Sequence, residues 1–173
     1  MKDLISQKIA ISDKIANLLN KQVQMESHSS NAYLAMAAWC ETKGYTHSAH
    51  FFYAQSNEER EHMLKIYKYL VRTGAQPPVP AAKELSIEFG SLRDAFEESL
   101  STEISVTEAI HKIYQECRSS ADFATEEFMR WFVNEQVEEE ETAREALSLF
   151  DNFGDDPTSI MLVDERIKGL RSE

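Results

Sequence analysis

A chain of 173 residues suits one domain with a good-sized core. Its 30 acids against 18 bases give a net charge of −12, which sets aside nucleic-acid binders, since these present a basic face. Scarce Gly (5) and Pro (4) favour helix over sheet. The N-terminal stretch MKDLISQKIAISDKIANLL lacks the apolar run of a signal peptide, and no segment is suited to span a membrane. Cys40 and Cys117 have no metal-type spacing and read as reduced, buried thiols of a cytoplasmic protein.

Helical periodicity predicts four long helices in chain order. The first covers about 12–40, with Ile15, Leu19, Glu26, Tyr33 and Met36 on one stripe; the second covers about 47–73, with Phe52, Glu59, His62 and Ile66. The third covers about 91–117, opened by a Ser91–Asp94 capping pair and striped by Phe96, Glu103 and Ile110. The fourth covers about 120–153, with Phe132, Glu135, Glu139 and Ala143, and ends at Gly154. Asp156 followed by Pro157 reads as a cap and first residue of a short fifth helix, about 158–168.

The connections predict the topology. Lys43-Gly44 and Ser119-Ser120 are tight turns that make each flanking pair antiparallel. Residues 74–90, with Pro77, Pro78 and Pro80, reach roughly 50 Å when extended, against roughly 40 Å for a 27-residue helix. That loop can return along the whole bundle. The fold class expected is all-α, a four-helix bundle with one long crossover between the second and third helices.

Four stripes carry an acid where a helix should be apolar: Glu26, Glu59, Glu103 and Glu139. One such residue is ordinarily a snorkelling side chain. Four at matching depth cost many kcal/mol unless cations neutralise them. A pair of divalent metals supplies the opposite charge. Glu59 and His62, three residues apart, project from one side of a helix and can grip a single ion. Glu26 would join them, while Glu59 bridges to a second metal held by Glu103 and, as an open alternative, Glu139. Carboxylates with one imidazole and no thiolate suit iron(II), manganese or zinc. Tyr33, seven residues after Glu26, is placed to hydrogen-bond a bridging carboxylate or lend an electron. Glu135, Glu138 and Glu139 share one side at i, i+3, i+4; with Glu58 they form a candidate third, more open cation site.

Other pairs read as bland. Glu108 and His111 repeat the Glu-x-x-His spacing, but Glu108 lies about 140° round the helix from Glu103, so both are expected at the surface. His47 and His50 are expected exposed, and Trp39 and Trp131 are expected to serve packing.

Along nearly its whole length the chain resembles the non-haem ferritins of prokaryotic type. The matching strings are Glu26 with Tyr33, Glu58-Glu59-Arg60-Glu61-His62, Glu103, and Asn134-Glu135-Gln136-Val137. The resemblance implies a hollow homo-oligomeric shell of 24 subunits that oxidises iron(II) with dioxygen or hydrogen peroxide and stores ferric mineral. Glu26, Glu59 and His62 would correspond to first-iron ligands. Glu59 and Glu103 would serve the second iron, with Gln136 nearby. Glu58, Glu135, Glu138 and Glu139 would correspond to the third site, and Glu61 to an inner acid that helps nucleate mineral. Haem-binding relatives carry a second Glu-x-x-His on the fourth helix and a Met after the bridging Glu. Here Thr142 and Arg60 stand instead, so no haem is expected. Of two acids usual at the three-fold pore, Glu126 matches one and Met129 stands at the other. Two rivals remain: a rubrerythrin-like di-iron peroxidase, although rubredoxin-type cysteine pairs are missing, and an acidic helical interaction bundle.

Overall fold

Five helices make up the fold of the described residues, and all but α2 begin at a side-chain cap. The computed structural model describes residues 10–82 and 84–170; residues 1–9, read above as free of a leader, lie outside them. Helix α1 (Asp13–Lys43) starts where Ser12 accepts from the Ile15 amide at 3.2 Å. It runs three residues past the expected end. Gly44, left-handed at φ 85°, lets its own N–H reach Glu41 and that of Tyr45 reach Cys40, satisfying the last carbonyls. Helix α2 spans Thr46–Arg72 and α3 spans Leu92–Ser119, the latter capped by Ser91 through the Asp94 amide.

Helix α4 (Phe123–Phe153) begins three residues later than the Ser119-Ser120 turn suggests. Asp122 is the better cap: its carboxylate accepts from the Thr125 amide at 3.0 Å and the Thr125 hydroxyl at 2.7 Å. The chain reverses through Ala121 at φ 55°. Helix α5 (Pro157–Ile167) is capped by Asp156 through Thr158 and Ser159.

Contacts at both ends of the helices fix their directions. Lys14 pairs with Glu116 and Tyr33 meets Ser99, so α1 and α3 are antiparallel. Arg118 meets Glu126 at one end and Arg93 meets Asp151 at the other, so α3 and α4 are antiparallel. Tyr69–Thr125 and Gln55–Glu139 do the same for α2 and α4. The crossover after Arg72 therefore joins parallel helices, as expected, and Tyr67 ties it down by donating to the Pro77 carbonyl at 3.2 Å.

Helix α5 has a structural task that sequence periodicity does not reveal. Tyr45 gives α2 no side-chain cap. Asp164, from α5, accepts instead from the Ser48 amide at 2.8 Å, the Ser48 hydroxyl at 2.6 Å and the His47 amide at 3.3 Å. A carboxylate at the positive end of α2 is favourable on dipole grounds as well.

The interior has three zones. Tyr33, Phe52, Phe96 and Phe150 pack one end, with Phe52 and Phe96 ring centroids 4.7 Å apart. Ile15, Leu19, Ile66, Ile110 and Phe132 pack the other. Between them lies a belt of buried polar side chains from all four long helices.

Candidate metal centre

Each belt carboxylate arrives by helical spacing. Glu26 lies seven residues after Leu19, Glu59 seven after Phe52, Glu103 seven after Phe96 and Glu139 seven after Phe132, so each inherits the inward face of a core residue. All are buried: Glu26 and Glu103 fully, Glu59 at 1% and Glu139 at 5% exposure. His62, one turn beyond Glu59, joins them.

Two groups emerge. Glu26, Glu59 and His62 each offer a ligand atom, all within 4.8 Å of one another, and all three residues are buried. Glu58, His62, Glu135 and Glu139 meet the same criterion, with Glu58 and Glu135 half-buried. His62 is shared: Nδ1 lies 3.8 Å from Glu59 Oε2 and Nε2 lies 4.0 Å from Glu135 Oε1. Trp131 sets its edge against the His62 ring at 5.3 Å between centroids, and Lys65 sits over the outer indole. Trp131 thus packs on the site itself.

The remaining expected residues separate. Glu103 stands outside the triad, with Tyr33 donating to Oε1 and Gln136 to Oε2 at 3.2 Å. The tyrosine therefore serves Glu103 rather than the Glu59 carboxylate. Glu138 is exposed and outside the second group, though its charge helps to raise Glu135. Glu61, Glu108, His111 and His50 are exposed, and Lys112 lies 3.8 Å from Glu108. His47 is half-buried and 3.1 Å from Glu165. Met129 is wholly buried, while Glu126 lies 3.6 Å from Arg118. Cys40 and Cys117 are buried, which pushes both thiols up to about 12.

Electrostatics mark the belt as strained by its own charge. Burial, then the Glu59 charge, holds the Glu26 carboxyl well above the carboxylate range. Burial, then Glu103, does the same to Glu59. Burial also raises Glu103, against the opposing hydrogen bonds from Tyr33 and Gln136. Burial with Glu103 beside it pushes Tyr33 up. Glu26 Oε2 and both Glu59 oxygens are buried without a donor among the described residues. Carboxylates cannot donate to one another when ionised, so these oxygens need protons or cations. Their geometry with an imidazole fits a divalent ion.

Supporting residues escaped the sequence reading. Gln22 donates to Glu26 Oε1 at 2.9 Å, Gln55 to Glu139 Oε2 at 2.7 Å, and Thr107 to Glu140 Oε1 at 2.6 Å. The available signal was an uncharged polar side chain on an otherwise apolar stripe: an amide at Gln22 and Gln55 and a hydroxyl at Thr107.

Comparison with known proteins gives the chain a family. The ferritin-like domain model matches residues 16–153. The bacterial non-heme ferritin of Staphylococcus aureus (strain USA300) is 35% identical over 157 residues, covering 91% of this chain and 95% of that protein. The Staphylococcus epidermidis protein of the same description is 34% identical over the same length. Among solved structures, an open pore ferritin from the hyperthermophilic archaeon Archaeoglobus fulgidus superposes with a TM-score of 0.88 at 31% identity, covering 94% of this chain and 99% of that one. With the family model matched over residues 16–153, relatives at 34–35% identity over nine-tenths of the chain and a solved ferritin superposing at a TM-score of 0.88, the chain belongs to the ferritin-like domain family.

Proposed function

We propose that this protein stores iron: it binds iron(II) as substrate in the belt, oxidises it with dioxygen or hydrogen peroxide, and deposits ferric oxo-hydroxide inside a shell of 24 copies in the cytoplasm. The observation that carries the reading is the set of donor-less buried oxygens on Glu26 and Glu59 facing His62. Glu26, Glu59 and His62 take one iron(II). Glu59 also bridges to a second iron served by Glu103, with Gln136 and Tyr33 holding the Glu103 carboxylate. A shared carboxylate keeps two metals about 3.5–4 Å apart, within reach of one oxidant.

Each iron loses one electron, and the oxidant takes both. Hydrogen peroxide is cleaved at its O–O bond to two hydroxides; dioxygen takes the two electrons and two protons from water and leaves as hydrogen peroxide. Hydrolysis of iron(III) to oxo-hydroxide releases protons to solvent. Glu58, Glu135, Glu138 and Glu139 take iron on the more open side of the pair, and Glu61 offers an inner acid to the growing mineral. No haem takes part in this scheme. A rubrerythrin-like peroxidase or an acidic interaction bundle has no observation in its favour over this reading.

Two measurements test it. Size-exclusion chromatography should give a particle near half a megadalton, about 24 times the 19.8 kDa chain. Aerobic iron(II) should produce ultraviolet–blue absorbance that grows with iron loading and stays in solution. A monomer or dimer that leaves iron to precipitate would sink the proposal.

A further inference from the structure

Three belt acids each accept a glutamine amide. Gln22 reaches Glu26 from one turn away on α1, Gln136 reaches Glu103 between α4 and α3, and Gln55 reaches Glu139 between α2 and α4. The Gln55 bond is the shortest of the three at 2.7 Å. Its position is otherwise an apolar one: Gln55 follows Phe52 and precedes Glu59 on the buried stripe and is 2% exposed. Because a carboxylate only accepts, the amide must turn Nε2 towards Glu139. Its Oε1 is then buried with no donor among the described residues. A Leu or Met would fill this place without that penalty. The one interaction that explains an amide here is the grip on Glu139.

We propose that Gln55 is a positioning residue for the second carboxylate group: by donating to Glu139 it holds that side chain in the Glu58–His62–Glu135 constellation and sets the group's affinity for a divalent cation. The inference rests on the reading of that group as a cation site. A carboxylate has lone pairs to spare, so accepting the amide leaves Glu139 able to ligate. Fixing its rotamer beforehand removes ordering that the ion would otherwise have to impose. The Glu26–Glu59–His62 triad receives nothing from this amide.

Isothermal titration of the full-length, assembled protein with zinc(II), a redox-silent probe, tests the assignment. The native protein should show two classes of sites, and Glu58→Gln should weaken only one, which assigns it to the open group. Gln55→Met keeps the side-chain length and removes the donor. It should weaken that same class by about 10-fold or more, the usual effect of losing an outer partner, and leave the other class within about 2-fold. Gln55→Asn, one methylene shorter, should show the same selective loss and decides the matter if the Met variant fails to fold. Equal weakening of both classes, as general loosening would give, or an unchanged open class, overturns the role of Gln55. A single class in the native protein, seen before any variant is made, overturns the cation-site reading beneath it.

Discussion

Phe96 and Glu103 stand two turns apart on α3, both fully buried, and they act in opposite directions. Phe96 belongs to the aromatic end of the bundle with Phe52 and Phe150, where each such side chain stabilises the fold by about 1.5–3 kcal/mol. Glu103 belongs to the belt, where burial of like charges opposes folding. The two apolar ends therefore drive the helices together, and the belt is carried by them. The same contrast holds on α2 between Phe52 and Glu59. A belt of buried acids opposes folding, and the two well-packed apolar regions on either side of it supply the stability that it lacks.

Substitutions can separate the zones. The largest effect on stability is expected at the end: Phe96→Ala should cost about 3–5 kcal/mol, read by thermal unfolding, while the initial iron(II) oxidation rate per folded protein changes little. A comparable loss of rate would mean that the end and the belt are not independent. Next, Glu59→Ala or His62→Ala should lower the initial oxidation rate on the order of 100-fold with assembly kept. Unchanged rates in stopped-flow absorbance for both variants would reject the assigned pair.

A smaller effect is expected at the α5 cap. Asp164→Ala should cost about 1–2 kcal/mol by stripping the start of α2 of its acceptor, without changing zinc(II) affinity. Equal stability of variant and native protein would remove α5 from the account of how α2 is held.

The smallest effect concerns pH in chelator-treated protein. Glu26, Glu59 and Glu103 have folded values above the ordinary carboxyl value, so the folded state holds protons that the unfolded chain releases above about pH 4.3. Stability should then fall as pH rises from there through the folded values. Glu59→Gln should flatten the slope and raise the melting temperature at pH 7.5 by about 2–4 °C, equivalent to about 1 kcal/mol. Divalent zinc should restore the native protein by mass action. A melting temperature that climbs with pH in the chelated native protein would contradict a belt strained by its own charge.

Much of this molecule was legible in one dimension. Helix number and the burial of Glu26, Glu59, His62, Glu103 and Glu139 follow from periodicity, because a 3.6-residue repeat sets which side chains share a face. The antiparallel pairs and the crossover follow from two tight turns and one long loop. Helix ends were less legible: α4 starts three residues after the Ser119-Ser120 turn suggests, because the Asp122 carboxylate reaches two Thr125 donors. Relations across helices were not legible at all. Which carboxylate takes the Tyr33 hydroxyl, how Gln55 meets Glu139, how His62 divides its nitrogens between two acidic groups, why Glu138 stays outside, and how Asp164 caps a helix 116 residues earlier all depend on helix rotation and offset. Those quantities are set by the packing of whole side chains against each other. The sequence by itself determined that negative charge would lie in the interior; only the assembled bundle decided which of those charges face one another without a donor.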